Sequence, residues 1–288
     1  MAVPTSLDLH GVWGSSATDI WVVGSDSSSN PSGVILHYDG AKWSDVSPAN
    51  TPGLRAVHGS AATNVWACGS GKNAHRFDGT QWSAVDTGNL EQKQDVRAFA
   101  PGDVWIATNG SMLRFDGNAW TLGPNTPTLG ALGMWGSSST DLWAIDSSLV
   151  VKDTVAHYDG NSWTPVPPGS ISVPDAIWGR STGTPSIWLA GAPGSGMPIV
   201  FRHTKAGWSK LASQLAVKKR IEAGWVFADD DVWVVGAAGL VAHYDGKSWV
   251  TVQTPATPAT TMRGLWGATA KDLWAVGDGG TVVRYTAP

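Results

Sequence analysis

Seven residues of this 288-residue chain carry side chains suited to recognition chemistry and cluster at one place in its repeat: His10, Arg55, Arg97, Asp175, Glu222, Trp225 and Arg263. The guanidinium groups of Arg55, Arg97 and Arg263 can fork onto a carboxylate or another anion. Asp175 and Glu222 can accept hydrogen bonds from hydroxyls, and the Trp225 indole offers a face on which a sugar or an aromatic ring stacks. His10, Asp175 and Glu222 are also the acid–base candidates. A plainer arrangement competes with all of these: the charges pair with one another and close a water-filled channel.

Other reactive chemistry is weakly represented. No Gly-x-Ser-x-Gly elbow occurs, and no glycine-rich loop precedes a helix to cradle phosphate. The seven histidines, at 10, 37, 58, 75, 157, 203 and 243, lack paired ligand spacing, and the oxygen-rich loop Ser25–Asn30 lacks an EF-hand pattern. No metal or cofactor is therefore expected. The single cysteine, Cys68, forms no internal disulfide and stands where the other repeats carry small apolar residues, so a buried thiol is expected. The sequence leans away from catalysis without deciding it.

Placing the seven candidates requires the repeat. Eighteen tryptophans are present, and one set (Trp21, Trp66, Trp105, Trp143, Trp188, Trp233 and Trp274) recurs every 38 to 45 residues, a propeller period. Each indole buries about 150–250 Å², on the order of 4–6 kcal/mol gross at about 25 cal/mol/Å². A second set follows a Tyr/Phe-Asp-Gly turn: Trp43, Trp82, Trp120, Trp163 and Trp249, with Trp208 at the matching place. A third aromatic position precedes the first set and is read as Trp13, His58, Phe99, Trp135, Trp178, Phe227 and Trp266. Each repeat then reads as four strands, A to D, with an Asp-Gly hairpin between C and D.

The predicted fold is all-β, a seven-bladed β-propeller of four-stranded antiparallel blades. One domain spans 1–288, with blades near 7–53, 54–92, 93–130, 131–170, 171–219, 220–260 and 261–288 plus 1–6. Ala2-Val3-Pro4 matches the end of a strand D, so the N-terminal segment is expected to complete the last blade and close the ring. Only Leu211–Lys219 could form a helical turn. On the third-set alignment, the position two residues before the aromatic is Gly or Ala in five blades (11, 56, 133, 176 and 264) and is enlarged to Arg97 and Trp225 in two. Long B–C connections, 24–33, 146–153 and 191–198, vary on the same face, which predicts one asymmetric site there. Aspartates two residues before the strand-B tryptophan (Asp19, Asp103, Asp141, Asp231 and Asp272) are expected to cap turns. Most of the basic residues His37, Arg76, Arg114, His157, Arg202, His243 and Arg284 have an aspartate two residues on, such as Asp39 or Asp78, and the pair is expected to tie a blade to its neighbour, with a ring of equivalent glycan sites between blades as the alternative.

The motif Val-Trp-(Ala/Val)-Val-Gly followed by Gly-x-(Ile/Val)-x-x-(Tyr/Phe)-Asp-Gly-x-x-Trp-x-x-Val, as in Asp231 to Val252, resembles the tectonin and tachylectin type of propeller repeat. That resemblance implies a lectin-like glycan binder. The partners expected are thus a glycan or a small anionic or polar ligand, with a protein-interaction scaffold as the alternative and a channel-mouth enzyme as a third reading. A net charge of −4 argues against nucleic acid as the main partner. No apolar run approaches the roughly 18 residues of a membrane span. No basic-then-apolar leader opens the chain. A monomer is expected, and the lone cysteine is compatible with a cytoplasmic setting.

Overall fold

In the computed structural model, the described residues are 3–124, 131–146, 155–169, 173–180, 185–192, 197–211, 214–215, 218–254, 256–257 and 259–286. They form seven antiparallel sheets, six in the order A-B-C-D and one, among the described residues, in the order A-B-C. The A strands are Asp8–Ser16, Leu54–Ala61, Lys93–Ala100, Ala131–Ser138, Val173–Arg180, Ile221–Ala228 and Met262–Thr269. Each A strand contacts the A strand of the next blade, and Asp8–Ser16 also contacts Met262–Thr269. The chain is therefore a closed seven-bladed propeller. Six sheets have four strands, and the seventh has three among the described residues, ending on Thr281–Thr286.

The strand-B segments show why the sequence folds this way. Each is flanked by strands on both sides and by blades on both faces, so it reads as a continuous apolar run. In Asp231–Gly236, every residue after Asp231 is buried. The strand-B tryptophans are all buried, with Trp66, Trp105, Trp188 and Trp274 at 0% exposure. Cys68 is fully buried in the same layer, and burial raises its thiol out of the reactive range. The C–D turn is the other repeated device. In blade one, Gly40 at φ +92° makes the turn, while the Asp39 carboxylate accepts the backbone N–H groups of Ala41 and Lys42.

Adjacent blades are locked by an indole laid over a glycine. A Cβ on Gly59 would lie 2.5 Å from the Trp13 ring, on Gly179 2.8 Å from Trp135, and on Gly224 2.3 Å from Trp178. Gly224→Ala is accordingly expected to overpack this interface by about 1–3 kcal/mol and lower Tm by several degrees. Gly133→Ala, whose Cβ would meet only Ile145 at 3.6 Å, should be close to neutral in the same thermal-unfolding measurement.

The polar repeat differs from expectation. The strand-C basic residue pairs with the strand-B aspartate, as in His37–Asp19 at 2.6 Å, His157–Asp141 at 2.8 Å, His243–Asp231 at 2.8 Å and Arg284–Asp272 at 2.8 Å. It also lies over the strand-B indole, with ring centroids 4.2 Å apart for His37 and Trp21 and the Arg284 guanidinium carbon 4.8 Å from the Trp274 ring. Asp39 and Asp78 serve their own turns instead. Blade two has Asn64 in place of the aspartate, accepting the Trp66 indole N–H at 3.2 Å, and blade five has Ser186. There Arg202 bonds Asp229 of blade six, which Arg180 also approaches at 3.7 Å.

At the N-terminus, Gly280 N–H donates to Leu7 O (2.8 Å), Gly279 N–H donates to Asp8 Oδ1 (2.9 Å), and Val3 packs on the core shared by blades one, two and seven. Of the expected long connections, 24–33 is described, while 147–153 of the second and 193–196 of the third lie outside the described residues, as do four residues of 211–219.

Candidate functional site

The A strands converge on the axis, where side chains have little room. A Cβ on Gly11 would lie 3.1 Å from the backbone of Arg55, Ala56 and Val57, and one on Gly264 would lie 3.0 Å from His10 O. Small residues therefore occupy this position: Gly11, Ala56, Gly133, Ala176, Ala223 and Gly264. Immediately before it, every A strand carries one extra residue against strand B. These bulges fall on His10, Arg55, Gln94, Leu132, Asp175, Glu222 and Arg263, one per blade. A bulge leaves its residue outside the ladder and re-aims the side chain. All seven line a central cavity of about 480 Å³, together with Arg97 and Trp225.

The sequence candidates thus share one cavity, but two of them hold different structural positions from those expected. The register pairs Trp105 with Arg97 and Trp233 with Trp225, as it pairs Trp21 with Trp13 and Trp274 with Trp266. Trp225 is therefore the ordinary strand-A indole of blade six and no enlargement of the small position. Its ring lies 6.1 Å from Trp266 and 6.4 Å from Phe227. The real departure is blade three, where Asp95 takes the small position and Arg97 the aromatic one. Both face blade four: Asp95 Oδ2 accepts Met134 N–H (2.9 Å) and Arg97 Nε donates to Met134 O (3.0 Å). Burial raises the Asp95 carboxyl, opposed by Arg97 3.9 Å away and by the backbone N–H groups of Met134 and Val96. Spacing could have revealed this, because Arg97 and Trp225 stand eight residues before their strand-B tryptophans, as Trp13, His58, Trp135 and Trp266 do.

The ring is polarised. Asp175 and Glu222, from blades five and six, form an acidic arc bridged by Arg220 at 3.0 and 3.5 Å. Burial pushes the Asp175 carboxyl up; Arg220 opposes this and Glu222 adds to it. Arg263 and Arg55, from blades seven and two, flank His10 of blade one in a basic arc. Arg263 is paired with Asp278 at 2.5 Å, whereas Arg55 is exposed and has no ion pair or hydrogen bond among the described residues. His10 Nε2 lies 3.0 Å from Ser25 Oγ, and its pKa is lowered to about 4, first by burial and then by Arg263 and Arg55. Gln94, Asp95, Arg220 and Asp278 were missed in sequence. The partners among them sit on other loops and strands, at separations that no motif spacing reports.

Among the described residues no cluster of three or more histidine, cysteine or acidic side chains could hold a metal ion, and no helix is long and apolar enough to cross a membrane.

No protein-family model and no curated protein matches the chain. Solved structures do. The structure described as YCF48 bound to D1 peptide superposes with a TM-score of 0.79 at 15% identity, covering 100% of this chain and 96% of that one. YCF48 from Cyanidioschyzon merolae gives 0.77 at 15% identity, covering 99% and 97%. The computationally designed Ika8 protein gives 0.66 at 12% identity, covering 99% and 98%. The tectonin and tachylectin resemblance is carried by the repeat motif alone. At these identities the likeness is one of fold: this chain is a tryptophan-rich seven-bladed propeller whose solved neighbours include YCF48 propellers.

Proposed function

We propose that this chain is a non-catalytic recognition propeller that holds an extended segment of a partner protein across its channel mouth. The observation that carries the reading is the ring of seven bulged residues, one from each blade, around a cavity of about 480 Å³. Its charge is divided between an acidic arc (Asp175, Glu222) and a basic arc (Arg263, Arg55), with the Arg55 guanidinium exposed and unpaired among the described residues. A peptide supplies both signs of charge and a backbone of donors and acceptors, which suits such a ring better than a uniformly charged ligand. The YCF48 neighbour bound to a D1 peptide lends the reading support. The glycan reading loses its anchor, because Trp225 is accounted for by the same packing role as Trp13 and Trp266.

Panning a phage-displayed peptide library on the immobilised chain is expected to enrich acidic or mixed-charge peptides. Arg55→Ala should weaken the best of them on the order of tenfold, in line with the loss of one charge-assisted hydrogen bond, and should leave Tm unchanged. Enrichment of no peptide, alongside glycan-array binding lost in Trp225→Ala, would return the site to a lectin.

A further inference from the structure

Six of the seven strand-C basic residues meet a carboxylate: His37, Arg114, His157, Arg202, His243 and Arg284. Arg284 shows the full fork, with Nε on Asp272 Oδ1 and a terminal nitrogen on Oδ2, each at 2.8 Å. Arg76 of blade two is the exception. Among the described residues its guanidinium has no ion pair, and its buried Nε has no hydrogen-bond partner. The guanidinium carbon lies 5.5 Å from the centroid of the fully buried Trp66 ring, so the fork rests on an indole at the seam with blade three, where Phe115 and Trp120 pack on the same ring. A guanidinium carries five donors and stays charged, so this one is held ready for an acceptor of opposite sign.

Both devices that neutralise this position elsewhere are missing here. The strand-B aspartate is replaced by Asn64, whose Nδ2 donates to Ser60 Oγ at 2.8 Å and whose Oδ1 accepts the Trp66 indole N–H. An amide brings no charge to set against the guanidinium. Blade five lacks the aspartate as well, and there Asp229, on the A–B turn of blade six, supplies the acid to Arg202. Asp229 stands four residues before its strand-B tryptophan, and the same place in blade three is Pro101. Asp78, two residues beyond Arg76, spends its carboxylate on the backbone N–H groups of Thr80 and Gln81 and on the Thr80 hydroxyl. Residues 60–63 and Pro101 are exposed and Arg76 is partly so, which leaves the guanidinium within reach from the A–B turn end of the seam.

We propose that the seam between blades two and three is a carboxylate-binding site, with the Arg76 guanidinium as the binding group and Trp66 as the platform beneath it. The ligand brings from outside the group that six blades supply from within. Its source is an aspartate or glutamate side chain of a partner protein or a free carboxylate ion. The Arg202–Asp229 pair is the template: the carboxylate arrives from the side of the next blade, over Pro101, and accepts from the guanidinium while Asn64 stays on Ser60 and Trp66. Asn64, Trp66 and Arg76 do not line the central cavity, so this site is separate from the ring at the channel mouth.

The readout is the arginine Nε–Hε cross-peak in a nitrogen–proton NMR spectrum of the intact chain, assigned to Arg76 by its loss in Arg76→Lys. The probes are sodium acetate and the end-blocked peptide Gly-Gly-Asp-Gly-Gly, with sodium chloride at equal ionic strength and Gly-Gly-Asn-Gly-Gly as controls. A saturable shift of this cross-peak is expected with the carboxylates and with neither control. Pro101→Asp and Asn64→Asp each supply an internal acid, one as blade six does for blade five and the other as most blades do for themselves. Each should weaken acetate binding on the order of tenfold or more and raise Tm. Arg55→Ala should leave the response unchanged, which separates this site from the channel-mouth reading. A shift with acetate alone assigns the site to free carboxylate ions, and a shift with both probes admits an acidic side chain. No saturable shift, an equal response to chloride, or an undiminished response in either folded internal-acid variant would overturn the proposal.

Discussion

Trp105→Ala is expected to cost about 3–5 kcal/mol of unfolding free energy, the range for removing a fully buried large aromatic side chain. Trp105 is 0% exposed. It stands opposite Arg97 on strand A and Arg114 on strand C of its own blade, with the Arg114 guanidinium carbon 5.5 Å from its ring, and it meets Tyr158 of blade four at 5.4 Å. Truncation opens a cavity at the seam between two blades and removes a contact on each side of it. Whole domains are stable by about 5–15 kcal/mol, so the loss is a large share of the total. For a domain of this size, each kcal/mol shifts Tm by about 2–4 °C. Urea unfolding should show a lower midpoint with an unchanged slope. A midpoint shift equivalent to under 1 kcal/mol would mean that the strand-B indoles are not the wedges between blades.

Acidification supplies the second large effect. His10 has its pKa lowered from 6.5 to about 4, first by burial and then by Arg263 and Arg55. The folded chain therefore binds this proton later than the unfolded chain does. The contribution is complete above pH 6.5 and is lost as pH falls towards 4, amounting to about 3 kcal/mol over that window. His58, lowered by burial and Arg97, and His75, lowered by burial, act in the same direction. Carboxylates held down by their own turns, such as Asp78 at about 2, act in the window below pH 4 and can be told apart on that ground. His10→Gln should flatten the dependence between pH 4 and 6.5. An unaltered slope in that variant would remove His10 from the account.

Blade number was legible because one indole per repeat is a periodic demand of the packing, and periodic demands show in sequence. The strand-A register was also legible, through the eight-residue spacing to the strand-B tryptophan, but similarity of residue type pointed elsewhere: Phe99 and Phe227 mimic the aromatic position that Arg97 and Trp225 fill. The bulges were not legible. They fall on residues of unlike type, His10, Arg55, Gln94, Leu132, Asp175, Glu222 and Arg263, so no repeated residue marks them. Partner choice among charges was misread for a related reason. Asp39 is two residues from His37 and lies near it in sequence, yet the Asp-Gly turn already uses its carboxylate for backbone N–H groups, so His37 turns to Asp19 across the sheet.

The carboxylate that Asp229 extends to Arg202 has a consequence for how such a ring can be rearranged. Blades one, three, four, six and seven carry their own counter-ion, the strand-B aspartate, and could be duplicated, deleted or permuted as cassettes on that ground. The fifth repeat does not: moved without the sixth, it would bring a half-buried guanidinium to a new neighbour lacking the acid that neutralises it. Shuffling or circular permutation of this protein should therefore treat repeats five and six as one inseparable module, and any lineage that grows or shrinks by single repeats meets a barrier at that joint.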